Sequence, residues 1–585
     1  MCGLAGLIWR QSPYNEEVLE SLRDALAHRG PDDNGVVTFQ SISLVHTRLS
    51  IIDVGGGHQP LEDKENRTLL VGNGEIYNYV ELKQDYAQYP YACQSDMEVI
   101  FPLYREHGVS FARSLRGMFA LALYDEREER LILARDPYGI KPLYYVDTPS
   151  YFAFSSEIQA FVKARLVHPA LNIPTRDELL QLRYNTGAET TFEGVKRLLP
   201  GETMVLEKGI IKERFIHDCL PKKFSKVTQD KALQDFDRAL SDSVKVHLRS
   251  DVPYGLFLSG GLDSAAILKL MERHTSQPIQ TFTIGFDQTS VHDERLPASQ
   301  MAAAVGANHR ELYFTEADFW EILPKVVTIM DDLIFDQAML PTYKLAQEAA
   351  KHVKVVLCGE GGDEMLAGYR RYQKARLPLL LGGRLSRQKG VFHEWKNLFT
   401  HDFSQWRRSL DALQKQETLS SRTRVQIAQA IDCRSWLANN LLVKLDRCLM
   451  AHGIEGRTPF LDPVVTEATF DLSDDLKIKR GYGKWLLRQW LAKNFPEAQP
   501  FEKKRGFRVP VGAWLLSQKE RLVFLLPRQE GLRQICDQDY FHGFLKTFTE
   551  KDEFAIWTLL VYALWYKHYY QGVSLQGGTF DCLER

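Results

Sequence analysis

The chain has 585 residues, of which 44% are hydrophobic, 25% charged and 11% aromatic, with a formal net charge of -2. That length exceeds what one hydrophobic core fills and predicts roughly two to four domains. The near-neutral balance argues against nucleic-acid binding and against a membrane-surface role, so any charged substrate must be met by a local site.

In chain order, short β-prone runs dominate the first 200 or so residues: Leu4 to Trp9, Ser43 to Asp53, Thr68 to Val71, Met118 to Tyr124, Arg130 to Ala134 and Tyr151 to Ser155. Glu16 to Ala27 and Ser95 to His107 carry apolar residues at helical spacing. Short strands with few helices predict a layered α+β domain over 1–205. The Leu199-Pro200-Gly201 turn and the polar stretch Lys222 to Asp230 mark an exit and a linker, placed at 206–231. From 232 to 585 the rhythm changes. Compact strands at Tyr254 to Leu258, Gln280 to Phe286 and Val353 to Cys358 alternate with helices at Ser264 to Arg273, Arg295 to Val305 and Pro341 to Lys351. This alternation predicts a parallel α/β sheet with helices on both faces, followed by added helices beyond residue 370. Ile556 to Tyr566 is too short to span a bilayer and reads as a buried helix. The N-terminus has no basic segment before its apolar stretch, so no secretory signal is expected. Eight scattered cysteines, with no Cys-x-x-Cys pair, predict reduced thiols in the cytoplasm.

Two groups of residues carry chemistry. Cys2 follows Met1 directly, and loss of Met1 would leave Cys2 with a free α-amine of pKa about 7.7–8.0. Such an amine can serve as base for the thiol of its own residue. An acyl-transfer thiol needs oxyanion donors, for which the Asn73 amide and the Gly74 N–H are suited. Glutamine's α-carboxylate needs a cation, which Arg48 can supply, and its α-ammonium needs an acid, Asp96 or Glu75. With His28-Arg29-Gly30-Pro31-Asp32 and Asn73-Gly74-Glu75-Ile76-Tyr77-Asn78 in this order, the segment resembles the glutaminase domain of class II glutamine amidotransferases. The resemblance implies the αββα fold of N-terminal-nucleophile hydrolases. It also implies a glutamine pocket made of Arg48, Leu49, Ser50, Ile51, Ile52, Asn73, Gly74, Glu75 and Asp96.

The second group begins with Ser259-Gly260-Gly261-Leu262-Asp263-Ser264, between a predicted strand and helix. Two glycines let backbone N–H groups close on phosphate, the serines add hydroxyls, and Asp263 can hold Mg2+. The loop resembles the pyrophosphate loop of N-type ATP pyrophosphatases. In Cys358-Gly359-Glu360-Gly361-Gly362-Asp363-Glu364, Glu360 can orient ammonia or take its proton and Asp363 can be a second metal ligand. Lys484 can neutralise charge on the α-phosphate, and Ile284 can line the adenine slot. Together with Asp446-Arg447, Met450-Ala451-His452, Arg457 to Asp462, Lys484 to Arg488 and Lys504-Arg505-Gly506-Phe507, these resemble the synthetase domain of asparagine synthetases. That resemblance implies ATP contacts at Phe257, Ile284, Cys358 and Gly359 and use of an aspartyl-adenylate at Glu360. It implies glutamine, ATP and aspartate as substrates, with another carboxylate in place of aspartate as the alternative acceptor, Mg2+ as cofactor, and a homodimer. Ala265 stands where the family often has serine, which is expected to cost one hydroxyl near the phosphates; Gly456 and Thr458 replace common valines.

Overall fold

The computed structural model describes residues 2–10, 15–222, 226–286, 293–502 and 508–585. Among these, the first 216 residues form twelve strands: β1 (Gly3–Trp9), β2 (Asp33–Phe39), β3 (Ile42–Arg48), β4 (Leu61–Asp63), β5 (Thr68–Ile76), β6 (Gly117–Asp125), β7 (Arg130–Arg135), β8 (Tyr144–Asp147), β9 (Tyr151–Ser155), β10 (Val195–Arg197), β11 (Glu202–Glu207) and β12 (Ile210–Ile216). They make two antiparallel six-stranded sheets, ordered β10-β8-β9-β1-β3-β2 and β12-β11-β7-β6-β5-β4. Strand side chains alternate between faces, so each sheet has two faces to cover. The inner faces meet through Leu4, Leu44, Val71, Ala122, Leu133 and Phe154. Helices Glu16–Leu26 and Ile158–Lys163 cover the outer face of the first sheet, and Ile100–His107 covers that of the second. The layering is therefore αββα, as expected. Helix Glu16–Leu26 starts where it does because Asn15 accepts a hydrogen bond from the Glu17 N–H at 3.0 Å.

Three expectations change in this half. Strand β3 ends at Arg48, and the apolar residues after it run as a loop, with Asp53 at φ 52°. The Leu199-Pro200-Gly201 turn is not an exit, because Gly201, at φ 70°, delivers the chain into β11. The segment 206–216, expected as linker, lies in the β11–β12 hairpin that edges the second sheet. The connection is shorter than expected, and residues 223–225 within it lie outside the described residues.

The second half opens with helix Gln229–His247, capped by Thr228, which accepts from the Lys231 N–H at 3.3 Å. Its sheet is wholly parallel: β13 (Tyr254–Phe257), β14 (Gln280–Phe286), β15 (Asn308–Phe314), β16 (Val355–Leu357) and β17 (Glu455–Arg457), in the order β15-β14-β13-β16-β17. From β13 the chain builds outward on one side, then crosses to place β16 on the other. The loops that leave β13 and β16 therefore diverge around a crevice at the strand ends, where open α/β sheets bind ligands. Beyond residue 370 the chain is helical apart from β17. Helix Glu553–Tyr569 is buried on nearly every face, which accounts for its continuous apolar sequence.

Candidate functional sites

The residues of the first group come together through strand pairing. Cys2 precedes β1, whose Gly3 is paired with Thr47 of β3, so the loop after Arg48 starts beside the thiol. Asn73 lies in β5, and its Oδ1 accepts the Cys2 N–H at 2.9 Å. The Asn73 Nδ2 is fully buried and has no hydrogen-bond partner among the described residues. The backbone adds a second donor. Phe119 of β6 spends both its N–H and its C=O on Asp136, so β5 meets β6 at Gly74 in a non-bonded register. The N–H groups of Gly72 and Ile76, in the same phase, point away from β6 to Gln59 Oε1 (2.7 Å) and Asp96 Oδ2 (2.8 Å). The Gly74 N–H faces that same side between them. Gly74 must be glycine: its φ is 151°, and a Cβ would strike the Met118 carbonyl.

Charges complete this site. Arg48 is 4% exposed, and its guanidinium is held by the carbonyls of Asp53 (2.7 Å), Ile52 (3.1 Å) and Val54 (3.4 Å), with no ion pair among the described residues. Gly57 makes room for it. Asp96 is buried, and burial lifts its carboxyl to about 6. Glu75, the alternative acid, is already ion-paired with Arg457 at 3.0 Å, and burial followed by Asp96 raises its pKa well above the usual carboxylate range. The Cys2 thiol is raised by burial, against which the Leu49 N–H favours the thiolate. Ser50, Ile51 and Ile52 are buried beside these groups, with the Ser50 N–H held by Asp32 at 2.8 Å.

The second group lines a cavity of about 550 Å³ in the crevice of the parallel sheet. Its walls include Phe257, Ser259 to Ser264, Ile284, Cys358 to Gly361, Asp363 and Lys484. The loop after β13 is folded on its own serines: the Ser264 hydroxyl donates to the Ser259 carbonyl at 3.1 Å, and the Ser259 Oγ accepts the Gly261 N–H at 3.1 Å. The loop after β16 packs directly on it, since a Cβ at Gly362 would collide with the Asp263 carboxylate and one at Gly359 would sit 3.0 Å from the Asp263 Cβ. Lys484, in the left-handed region at φ 54°, precedes helix Trp485–Asn494 and is 1% exposed. Its ammonium is paired with Asp263 and, at 2.8 Å, with Asp363; these carboxylates, despite burial, hold it protonated. Two carboxylates from separate glycine loops converging on one ammonium are a donor set that suits Mg2+, which takes one or two carboxylates and completes its shell with phosphate and water. Glu360 faces Lys444 at 3.9 Å. The N–H of Cys358 is committed to the Arg457 carbonyl at 2.8 Å, and its thiol donates to the Val356 carbonyl at 3.9 Å. Ala265 is fully buried in the core behind the loop, so a serine there would not place its hydroxyl at the cavity. A Cβ at Gly456 would press within 2.9 Å of Leu449. The Lys504-Arg505-Gly506-Phe507 motif lies outside the described residues.

Sequence reasoning assigned no pairing to the residues that join the two sites. Arg29 donates to Asp446 at 2.8 Å and to Glu157 at 2.9 Å; Arg447 pairs with Glu157 and, at 3.1 Å, with Asp331. Arg457 of β17 reaches both centres, its guanidinium holding Glu75 and its carbonyl the Cys358 N–H. Their signal in the sequence was membership of motifs: Arg29 in His28-Arg29-Gly30-Pro31-Asp32, the Asp446-Arg447 pair, and Arg457 at the head of Arg457 to Asp462.

Comparison with known proteins agrees with this geometry. A family model described as asparagine synthase matches residues 235–567, and one described as glutamine amidotransferase domain matches residues 1–216. The Bacillus subtilis (strain 168) protein named asparagine synthetase (glutamine-hydrolyzing) 1 is 31% identical over 97% of this chain and 96% of its own length. Asparagine synthetase B (glutamine-hydrolyzing) of Escherichia coli (strain K12) is 28% identical over 85% of this chain and 79% of its own. A Penicillium rubens protein named amidase chyE is 29% identical over 82% of this chain and 83% of its own. With the synthase model matched over residues 235–567 and one relative aligned nearly end to end, the chain belongs to the asparagine synthase family.

Proposed function

We propose that the chain makes asparagine from aspartate, glutamine and ATP through an aspartyl-adenylate, releasing glutamate, AMP and pyrophosphate. The observation that carries this reading is Arg457, whose guanidinium and carbonyl tie an acyl-transfer site to a nucleotide-type cavity within one residue.

At the first site the Cys2 thiolate attacks the side-chain amide carbon of glutamine. The Asn73 Nδ2, without a partner among the described residues, and the Gly74 N–H receive the oxyanion. With Met1 removed, the Cys2 amine, held by Asn73 Oδ1, carries the thiol proton to the departing nitrogen. Ammonia leaves, and water releases glutamate from the thioester. Arg48 holds the α-carboxylate of glutamine. Asp96 holds its ammonium, because Glu75 is engaged by Arg457.

At the second site the loop Ser259 to Ser264 holds the terminal phosphates, so that a carboxylate oxygen of aspartate attacks the α-phosphorus and pyrophosphate departs. Asp263 and Asp363 would hold Mg2+, which when bound supplies positive charge to the pyrophosphate. Lys484 balances charge growing on the α-phosphate. Ammonia then attacks the acyl carbon, Glu360 takes a proton from it, and AMP leaves. The adenine lies along Ile284 and Phe257. We place the protein in the cytoplasm as a homodimer acting on small molecules. Free cysteines are in keeping with this location, and no helix among the described residues is long and apolar enough to cross a membrane. The test is product analysis with glutamine, aspartate and ATP. AMP and pyrophosphate in step with asparagine are expected, and ADP with phosphate would exclude the adenylate route.

A further inference from the structure

The stretch 370–389 carries seven Lys and Arg and no Asp or Glu, a local charge that the near-neutral total of the chain conceals. It holds helix Arg370–Ala375 and, after Pro378, a single 3-10 turn, Leu379–Leu381. The turn is closed by its own backbone. The Leu381 N–H donates to the Pro378 carbonyl at 3.0 Å and the Gly382 N–H to that of Leu379 at 3.1 Å. Its base is pinned, because the Arg424 Nε donates to the carbonyls of Ala375 (3.0 Å) and Leu377 (3.1 Å) and Leu385 packs inward. Successive side chains on such a turn point about 120° apart. Yet Leu379, Leu380 and Leu381 are 65%, 98% and 68% exposed, and Leu377 beside them 42%. No side of the turn lies against the described residues, so it forms a projecting apolar tip. Single exposed leucines are ordinary, whereas four together mark a surface that meets something.

The cations behind the tip are of two kinds. Arg371 pairs with Asp432 at 2.6 Å, Arg376 pairs with Asp475, and Arg387 donates to the carbonyls of Lys389 and Leu182, both at 3.0 Å. Arg370, Lys374, Arg384 and Lys389 are exposed and make no ion pair among the described residues. Apposing this face on itself in a second copy would bring like charges together about the two-fold axis. A protein partner would need a groove to take a convex tip. A lipid surface needs none, and an anionic one complements the charge. We propose that this face docks the protein on an anionic lipid surface, with Leu379, Leu380 and Leu381 entering the acyl boundary and the four unpaired cations meeting headgroup phosphates. Apolar insertion and a polybasic patch are the two signals that together give stable peripheral binding. Tyr369, just before the helix, lines the nucleotide cavity, so the docked face continues the wall of that cavity.

The test is co-sedimentation of the full chain with vesicles of phosphatidylcholine alone and of phosphatidylcholine mixed with phosphatidylglycerol. Binding to the mixed vesicles is expected, roughly tenfold or more tighter than to the neutral ones, and it should weaken as salt rises. Lys374→Gln, Arg384→Gln and Lys389→Gln together should weaken it on the order of a hundredfold, about fivefold for each cation. Leu380→Asp should weaken it roughly tenfold or more with the cations intact. The glutaminase rate and the circular-dichroism spectrum should hold in both variants, which reports that they fold. No binding of the wild type to the mixed vesicles at low salt overturns the proposal, as does equal binding to both kinds. Binding that ignores Leu380→Asp and is matched by soluble polyglutamate assigns the face to an acidic protein. A fall in the mass of the lipid-free chain on Leu380→Asp assigns it to a second copy. Either result overturns the proposal.

Discussion

Replacing Asn73 with alanine is the sharpest probe of the first site, because this one side chain has two separable duties. Its Oδ1 holds the Cys2 nitrogen at 2.9 Å, and its Nδ2 is a buried donor with no partner among the described residues. Loss of one oxyanion donor costs about 2.7–4 kcal/mol of transition-state stabilisation. Loss of the hydrogen bond to the amine adds about 1 kcal/mol. Together these lower glutaminase kcat by a factor on the order of 10³. The oxyanion exists only in the transition state, so KM for glutamine should change little. The assay is glutamate release at saturating glutamine, with ammonium-dependent amidation as the control that the chain is folded. Asn73→Asp keeps the acceptor and removes the donor, and separates the two duties. If Asn73→Ala retains glutaminase activity within tenfold of the wild type, the orphan Nδ2 is not an oxyanion donor and the site has been misread.

Cys2→Ala should abolish glutamine hydrolysis while amidation from ammonium salts persists; loss of both in a folded variant would contradict two separate centres. Asp263→Asn should remove a Mg2+ ligand and half of the charge that orders Lys484, and cut pyrophosphate release by roughly 10² or more, with basal glutaminase spared. Equal loss of both activities would count against the assignment. Asp96, lifted by burial to about 6, carries its charge only above that pH. KM for glutamine should therefore climb by roughly tenfold per unit as pH falls below 6, and Asp96→Asn should flatten the profile. A KM that stays constant from pH 7 to pH 5 in the wild type would assign the ammonium to another acid. With glutamine labelled at the amide nitrogen and excess unlabelled ammonium, product label should exceed the bulk isotopic fraction; full equilibration would exclude a closed passage.

Much of this architecture is legible where chemistry and local structure coincide. The glycine loops follow short apolar strands, β13 and β16, so motif and secondary structure support one another. Elsewhere burial misleads. Leu49, Ile51 and Ile52 look like a continuation of β3, yet they are buried against the second domain, next to Met118 and Tyr138, and pair with no strand. An apolar run reports that something covers it and not what. Strand β17 is only Glu455-Gly456-Arg457, a charged triplet that reads as loop; in the sheet its two charges pair with each other, and Arg457 also reaches Glu75 across the seam. Strand β15 alternates between exposed and half-buried positions, so its apolar signal is faint. Contiguous motifs bring the site residues into view, whereas Lys444 meets Glu360 and Asp336 only in three dimensions.

The charges at the seam are too many for stability alone to account for them. Arg29, Glu157, Asp446, Arg447 and Arg457 are each at most 4% exposed, and hydrophobic residues of similar volume would hold two domains together at least as well. Their geometry does something a hydrophobic seam cannot. Each guanidinium accepts partners in only a few directions, so the network fixes one register between the domains, with Cys2 near Glu455 and the nucleotide cavity at the far end of the same strand. We propose that ammonia passes from Cys2 to the nucleotide cavity without leaving the protein, and the network bears on that passage. Ammonia is lost as a nucleophile when it meets a proton donor. Burial opposes ionisation of these acids, yet Arg447 holds Glu157 and Arg29 holds Asp446 below the ordinary carboxylate range, and the chain's amino group, followed by Arg457, brings Glu455 to about 2. Ionised acids have no proton to give, and a guanidinium does not release one. Glu75 and Asp331, whose carboxyls burial raises, are the acids of the seam that can hold a proton, so the network leaves ammonia neutral only along the Glu157, Asp446 and Glu455 pairs.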